Sequence, residues 1–188
     1  MNRRLALKQM ALVTGGLALI PGCDFSEEKI LAAYDELQIT DGHQQVLKSL
    51  VDTIIPKTDL KGAVELGVHD FVLVMANDCL GKEDQQRFVS GLKGFDQYVK
   101  TNFGTKFLKL DQAKAVEVVD TLLDAKKEVS AGSEDYQYFV KTTKKYAIQA
   151  YMASEYVMTE LMPYTLVPGP KFNGSKKIVP GEKVNING

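Results

Sequence analysis

The chain has 188 residues, 45% of them hydrophobic and 25% charged, with 23 basic against 24 acidic side chains and a formal net charge of -1. Those proportions describe a folded chain of about one domain, exclude a disordered one, and leave no electrostatic footprint for nucleic acid. Two histidines and two cysteines leave little material for a metal site, and no CxxCH run for covalent haem is present.

Residues 1–22 differ from the rest. Arg3, Arg4 and Lys8 precede an uncharged, mostly apolar run from Met10 to Ile20. That run is too short to cross a ~30 Å hydrocarbon core as a helix. A basic start followed by a short apolar stretch predicts an export signal, with an uncleaved N-terminal helix as the alternative. Arg3-Arg4 with Leu5, Leu7 and Lys8 resembles a twin-arginine signal, the type that exports folded proteins. Leu19-Ile20-Pro21-Gly22-Cys23 resembles a lipobox, which makes Cys23 the candidate lipidated residue, although Pro21 is unusual there. Loss of residues 1–22 removes three basic and no acidic groups, leaving 20 basic against 24 acidic and a net of -4. Attachment to a membrane would then rest on the lipid. With Cys23 lipidated, Cys79 stands alone, and its apolar helical surroundings predict a buried, inert thiol rather than a reactive one.

The elements follow in order. Residues 23–39 form an acidic tether, with a weak helix over Glu27 to Leu37. Thr40 or Asp41 caps a firmer helix in which Val46, Leu47, Leu50, Val51 and Ile54 share one face, and Pro56 stops it. Pro56 to Gly67 is a loop or turn. A helix from Val68 to Leu80 places Val68, Phe71, Val72, Met75, Ala76 and Cys79 on one face. The next, Lys82 to Asn102, carries Phe88, Leu92, Phe95 and Val99, with Gly91 and Gly94 either weakening it or permitting close packing. Asp111 caps a helix to about Lys127 with Ala115, Val116, Val119, Leu122 and Leu123. Ser133 caps a run from Glu134 to about Met162, one helix or two joined near Ser154. It bears Tyr138, Phe139, Thr142, Tyr146, Ile148, Gln149, Tyr151, Met152 and Val157. Residues 163–188 hold four of the six prolines and lack a helical or strand period, which predicts a tail either disordered or laid across a partner. The expected fold is mostly α: a small helical bundle of five or six helices at 40–162, with an extended Pro/Gly-rich C-terminal tail.

Catalytic constellations are missing. His43 and His69 have no ligand partner at metal spacing, and His69 reads as a surface or capping residue. There is no HExxH, GxGxxG, Walker loop or GxSxG. Glu27-Glu28 and Glu134-Asp135 are explained by helix starts. Lys144-Lys145 and Lys176-Lys177 are solvated faces. Tyr136, Tyr138, Tyr146, Tyr151, Tyr156 and Tyr164 suit either an interface or a core. The expected site list therefore contains no catalytic, cofactor-binding or metal-binding residue.

One stretch says more. Leu50-Val51-Asp52-Thr53-Ile54-Ile55-Pro56-Lys57-Thr58-Asp59, then Gly62-Ala63, Gly67-Val68 and Asp70-Phe71, resembles the signature of the gluconate 2-dehydrogenase small subunit (subunit 3) family. Lys61 stands where the family pattern commonly has proline. Leu92, Phe95, Phe107, Tyr138-Phe139, Ser154-Glu155, Tyr164 and Pro168-Gly169 extend the likeness over nearly the whole chain after Cys23. The resemblance implies a partner: a large FAD-dependent subunit of the glucose–methanol–choline type that oxidises a sugar or sugar acid. Electrons then pass to a cytochrome c, so haem c belongs to a third subunit. It also implies that the small subunit holds no cofactor, carries the export signal and stabilises the catalytic chain. The expected partner surface comprises Ile55, Pro56, Lys57, Thr58, Asp59, Gly62, Ala63, Phe71, Tyr151, Tyr156, Tyr164, Pro168 and Gly169; for the loop, the competing reading is a plain connector. The expected location is the periplasmic side of a bacterial membrane. A lipid-anchored binding or structural protein without a redox partner is the alternative, and a stand-alone enzyme using Tyr and His groups a more distant one.

Overall fold

The computed structural model describes residues 32–124, 132–162, 177 and 179–181. The export signal, Cys23, the acidic tether up to residue 31, and the C-terminal tail apart from residues 177 and 179–181, with Tyr164, Pro168 and Gly169, lie outside the described residues. Helix α1, Asp41–Ile54, begins after Thr40, whose backbone N–H donates to His43 Nδ1 at 3.1 Å. His43 is thus a capping residue. Val46, Leu47, Leu50 and Val51 are buried on the face their spacing predicts. The helix ends before Pro56, which lacks the N–H that a further turn would use.

The remaining helices are α2 (Val68–Asp78), α3 (Lys82–Phe103), α4 (Gln112–Leu123) and α5 (Glu134–Met152), followed by a π-helical turn, Tyr156–Leu161. Short 3-10 turns lie at Ala32–Tyr34 and Phe107–Lys109. No strand occurs among the described residues. Helix α5 is the axis of the bundle, packed most extensively on α3 and also touching α1, α2 and α4.

An aromatic cluster forms the centre. Phe139 of α5 meets Phe88 and Phe95 of α3 edge-to-face at 5.2 and 5.4 Å, and Phe95 meets Phe107 at 5.0 Å. All four rings are fully buried, each contributing roughly 1.5–3 kcal/mol by burial, and edge-to-face geometry suits their quadrupoles. Gly91 is what lets α3 and α5 come this close. A Cβ there would stand 2.3 Å from Asp135 O and 2.5 Å from Phe139 Cβ. The glycine is therefore a contact point between backbones rather than a weak spot in the helix.

Several expectations need correction. The weak helix over Glu27 to Leu37 is, in its described part, a 3-10 turn followed by an irregular turn in which Gln38 has φ +48. Leu37 and Ile39 are both buried, an alternation that no helix supplies. This segment is held to α2 by Tyr34, whose hydroxyl donates to Asp70 Oδ1 at 3.4 Å. Helix α2 stops at Asp78, two residues early. Cys79 is consequently exposed rather than buried, and Leu80 packs on the core instead. The helix expected to reach Lys127 leaves helical geometry at Asp124.

The last run breaks at Ser154, one of the two options its sequence left open. The Ser154 hydroxyl donates to Tyr151 O at 2.7 Å and accepts from Val157 N–H at 3.3 Å, replacing helix bonds with local ones. Ser133 begins α5 by position but makes no side-chain cap bond; Asp111 does cap α4, accepting from Lys114 N–H at 2.9 Å. Val116, Ile148 and Met152 are exposed, because they fall off the faces that carry the buried residues of α4 and α5. His69 is not a surface residue. It shares a face with Val72, Leu73 and Ala76, and its side chain is only 12% exposed.

Candidate functional site

The loop between α1 and α2 is rigid for reasons its sequence contains. Its ends are tied together by Ala63 N–H donating to Ile55 O at 2.9 Å. Glu65 clamps it from one side: one carboxylate oxygen accepts from Lys57 Nζ at 2.8 Å, the other from Gly62 N–H at 3.1 Å. Those two donors, Lys57 first, hold the Glu65 carboxyl below its ordinary pKa. Gly62 packs against the start of the loop, where a Cβ would meet Lys57 N at 2.6 Å. Within the loop, Thr58 N–H donates to Leu60 O at 3.1 Å and Leu60 N–H to Thr58 Oγ1 at 3.2 Å.

This closure turns side chains outward. Pro56, Lys57, Thr58, Asp59, Leu60 and Lys61 are all exposed, and Leu60 is an apolar tip at 45% exposure. Helix α5 fixes the far end, since the Tyr151 hydroxyl donates to Lys61 O at 2.9 Å. Burial, and then the neighbouring Tyr156, raise the Tyr151 pKa above its ordinary value, so the phenol keeps the proton it donates. The Lys61 ammonium lies 4.8 Å from the centre of the Tyr156 ring, within cation–π range.

Loop, α2, the end of α5 and the π turn enclose a groove of about 620 Å³. Leu66, Val68 and Phe71 supply apolar surface, and Ala150, Ala153 and Tyr156 face them from the other side. Glu65, Glu155 and Glu160 line it with Lys61 as the single basic side chain. Of the sequence-predicted candidates, Phe71 on α2 and Tyr156 beyond α5 line this groove, while Lys57 and Tyr151 reach its edge through Glu65 and Lys61; Thr58 and Asp59 lie outside the lining.

Not every candidate belongs there. Ala63 is fully buried in the core, and Gly62 is buried beneath the loop, so both hold the loop rather than offer a surface. Neither position has room for a larger side chain: a Cβ at Gly62 would strike Lys57 N, and Ala63 is fully enclosed. Ile55 is half-buried against the core. The other tyrosines serve the bundle: Tyr136 stacks on Tyr98 at 4.7 Å, Tyr138 carries the Arg87 guanidinium at 4.4 Å, and Tyr146 is buried. Lys61, Glu65, Leu66, Glu155 and Glu160, which line the groove, and the exposed loop tip Leu60 were not among the candidates.

Among the described residues no group of three or more His, Cys, Asp or Glu side chains is placed to hold a metal. Among the same residues no helix is long and apolar enough to cross a membrane.

The model of the family described as gluconate 2-dehydrogenase subunit 3 matches residues 41–169, more than two thirds of the chain. The chain belongs to that family. The match spans the loop, the groove and all five α-helices, so the surface described here lies within the gluconate 2-dehydrogenase subunit 3 region rather than on an appendage. No curated protein and no solved structure matches the chain.

Proposed function

We propose that this chain is the accessory small subunit of an exported, membrane-associated, FAD-dependent sugar or sugar-acid dehydrogenase. Its partner is a large flavoprotein of the glucose–methanol–choline type, which holds the FAD; haem c, where electrons leave through a cytochrome, belongs to a third subunit. The small subunit binds the flavoprotein, stabilises it and shares its export signal with it. Arg3 and Arg4 support export in the folded state, and Cys23 after its apolar run supports lipid anchoring on the periplasmic side.

The observation that carries this reading is the groove lined by Lys61 and Glu65 of the α1–α2 loop, Phe71 and Tyr156, with Tyr151 tied to the loop at its edge, in a chain of a dehydrogenase-subunit family. The loop is pre-organised, so docking costs little conformational entropy there. The half-buried aromatic side chains of Phe71, Tyr151 and Tyr156 and the exposed Leu60 beside it are of the kind that anchor protein interfaces.

Co-expression with its genomic neighbours tests the reading. The expected product is one yellow complex that oxidises sugars with an artificial dye. Elution of this chain alone and flavin-free would count against it. Arg3→Lys/Arg4→Lys should hold both chains in the cytoplasm, and Cys23→Ala should release the complex from membranes.

A further inference from the structure

The groove's charge is unbalanced in a way that specifies its occupant. Glu65, Glu155 and Glu160 against Lys61 give the lining a net charge of -2. Glu65 is already engaged by Lys57 and Gly62, and Lys61 lies against Tyr156. Among the described residues the Glu155 and Glu160 carboxylates have no hydrogen-bond or ion-pair partner. Ala150 and Ala153 place the C-terminal end of the 19-residue helix α5 at the same groove. That end carries the partial negative charge of the helix dipole. Both features favour a cation. The apolar wall of Leu66, Val68 and Phe71 asks in addition for a hydrocarbon neighbour.

Volume alone would admit a small molecule, since binding cavities commonly hold about 300–1,000 Å³. A sugar acid is anionic and would be repelled by this lining. A neutral sugar would draw no electrostatic gain from the negative lining.

Building on the subunit reading above, we infer that the groove receives a lysine or arginine side chain, next to an apolar residue, on an extended segment of the large dehydrogenase subunit. The cationic stem lies along the Phe71 wall and its head meets Glu155 and Glu160. The loop and Tyr151 hold the opposite wall in place.

The test is the affinity of the co-purified flavoprotein subunit for variants of this chain across a range of salt concentrations. Glu155→Lys/Glu160→Lys should weaken binding at least about tenfold at low salt and flatten its salt dependence. Glu83→Lys/Glu117→Lys makes the same change of net charge at exposed positions remote from the groove, and should stay within about threefold of the unaltered chain. All four side chains are exposed, so the unfolding midpoint is the check that each variant is folded. Equal affinity for the groove variant and the unaltered chain would overturn the inference, as would equal losses in both double variants. Displacement of the flavoprotein by millimolar neutral sugar would overturn it in favour of a sugar site. In each of these cases the complex itself still forms, so the subunit reading stands. Absence of any complex with the unaltered chain would remove both.

Discussion

Replacing Gly91 by alanine sets two effects against each other. Alanine is favoured over glycine in a helix interior by about 1 kcal/mol, so an isolated α3 would gain. The structure decides otherwise. The new Cβ would stand 2.3 Å from Asp135 O and 2.5 Å from Phe139 Cβ, one a backbone atom and the other rooted on the α5 backbone. Neither can swing aside, so α3 and α5 must separate by about 1 Å to reach ordinary contact. That opening loosens the Phe139 contacts with Phe88 and Phe95. Overpacking of this kind costs about 1–3 kcal/mol and occasionally more, and the loss of close ring contact adds to it. The expected net effect is a destabilisation of about 2 kcal/mol, or a Tm lower by about 4–8 °C at this chain length. Gly94→Ala is the internal comparison: its Cβ would meet Tyr136 Oη at 2.8 Å, the far end of a side chain that can move. That variant should fall within about 1 kcal/mol of the unaltered protein. Urea and thermal unfolding followed by circular dichroism measure both. A Gly91→Ala protein as stable as the original, or more so, would refute the backbone-contact reasoning.

Three further outcomes are expected. Thr143 is fully buried in α5 and, among the described residues, its Oγ1 has no hydrogen-bond partner; Thr143→Val should raise stability by about 1 kcal/mol, and a loss on calorimetry would reveal a bond in solution. Tyr151→Phe removes the tether to Lys61 O, which should cost about 0.5–1.5 kcal/mol and speed amide exchange across residues 57–62; unchanged exchange would show that the Glu65 clamp and the loop's own backbone bonds hold it without Tyr151. Burial lowers the His69 pKa, Asp70 partly opposes this, and Lys48 adds to it. The unfolded chain therefore takes up this proton first: no penalty exists well above pH ~6.5, and stability falls as pH drops below that value toward the folded pKa. His69→Gln should flatten that acid-side decline relative to the original, and parallel pH curves would assign the decline to other groups.

Much of the bundle was legible because each helix carries its own instructions. Val46, Leu47, Leu50 and Val51 mark the inner face of α1 by spacing, and Asp111 starts α4 through a bond to its own third turn residue. Cys79, Val116 and His69 were misjudged for one shared reason. Where a helix stops, or which of two adjacent faces is covered, depends on neighbours distant in sequence. Leu80 takes the core position that Cys79 was expected to fill, and His69 lies under cover because its face is that of Val72 and Ala76.

For the partner surface the division is equally physical. The sequence by itself determined that the chain is helical, that the signature around Asp52 to Phe71 is a loop between two helices, and that tyrosines are concentrated late. It could not say that Tyr151 crosses to Lys61, that Ser154 turns the chain so Tyr156 faces Phe71, or that Ala63 belongs to the core. The first of these joins residues ninety apart in sequence, and the others depend on what that packing brings alongside. Local patterns encode faces and ends; only packing α5 against the rest brings the loop and the π turn to opposite walls of one groove and sets its charge.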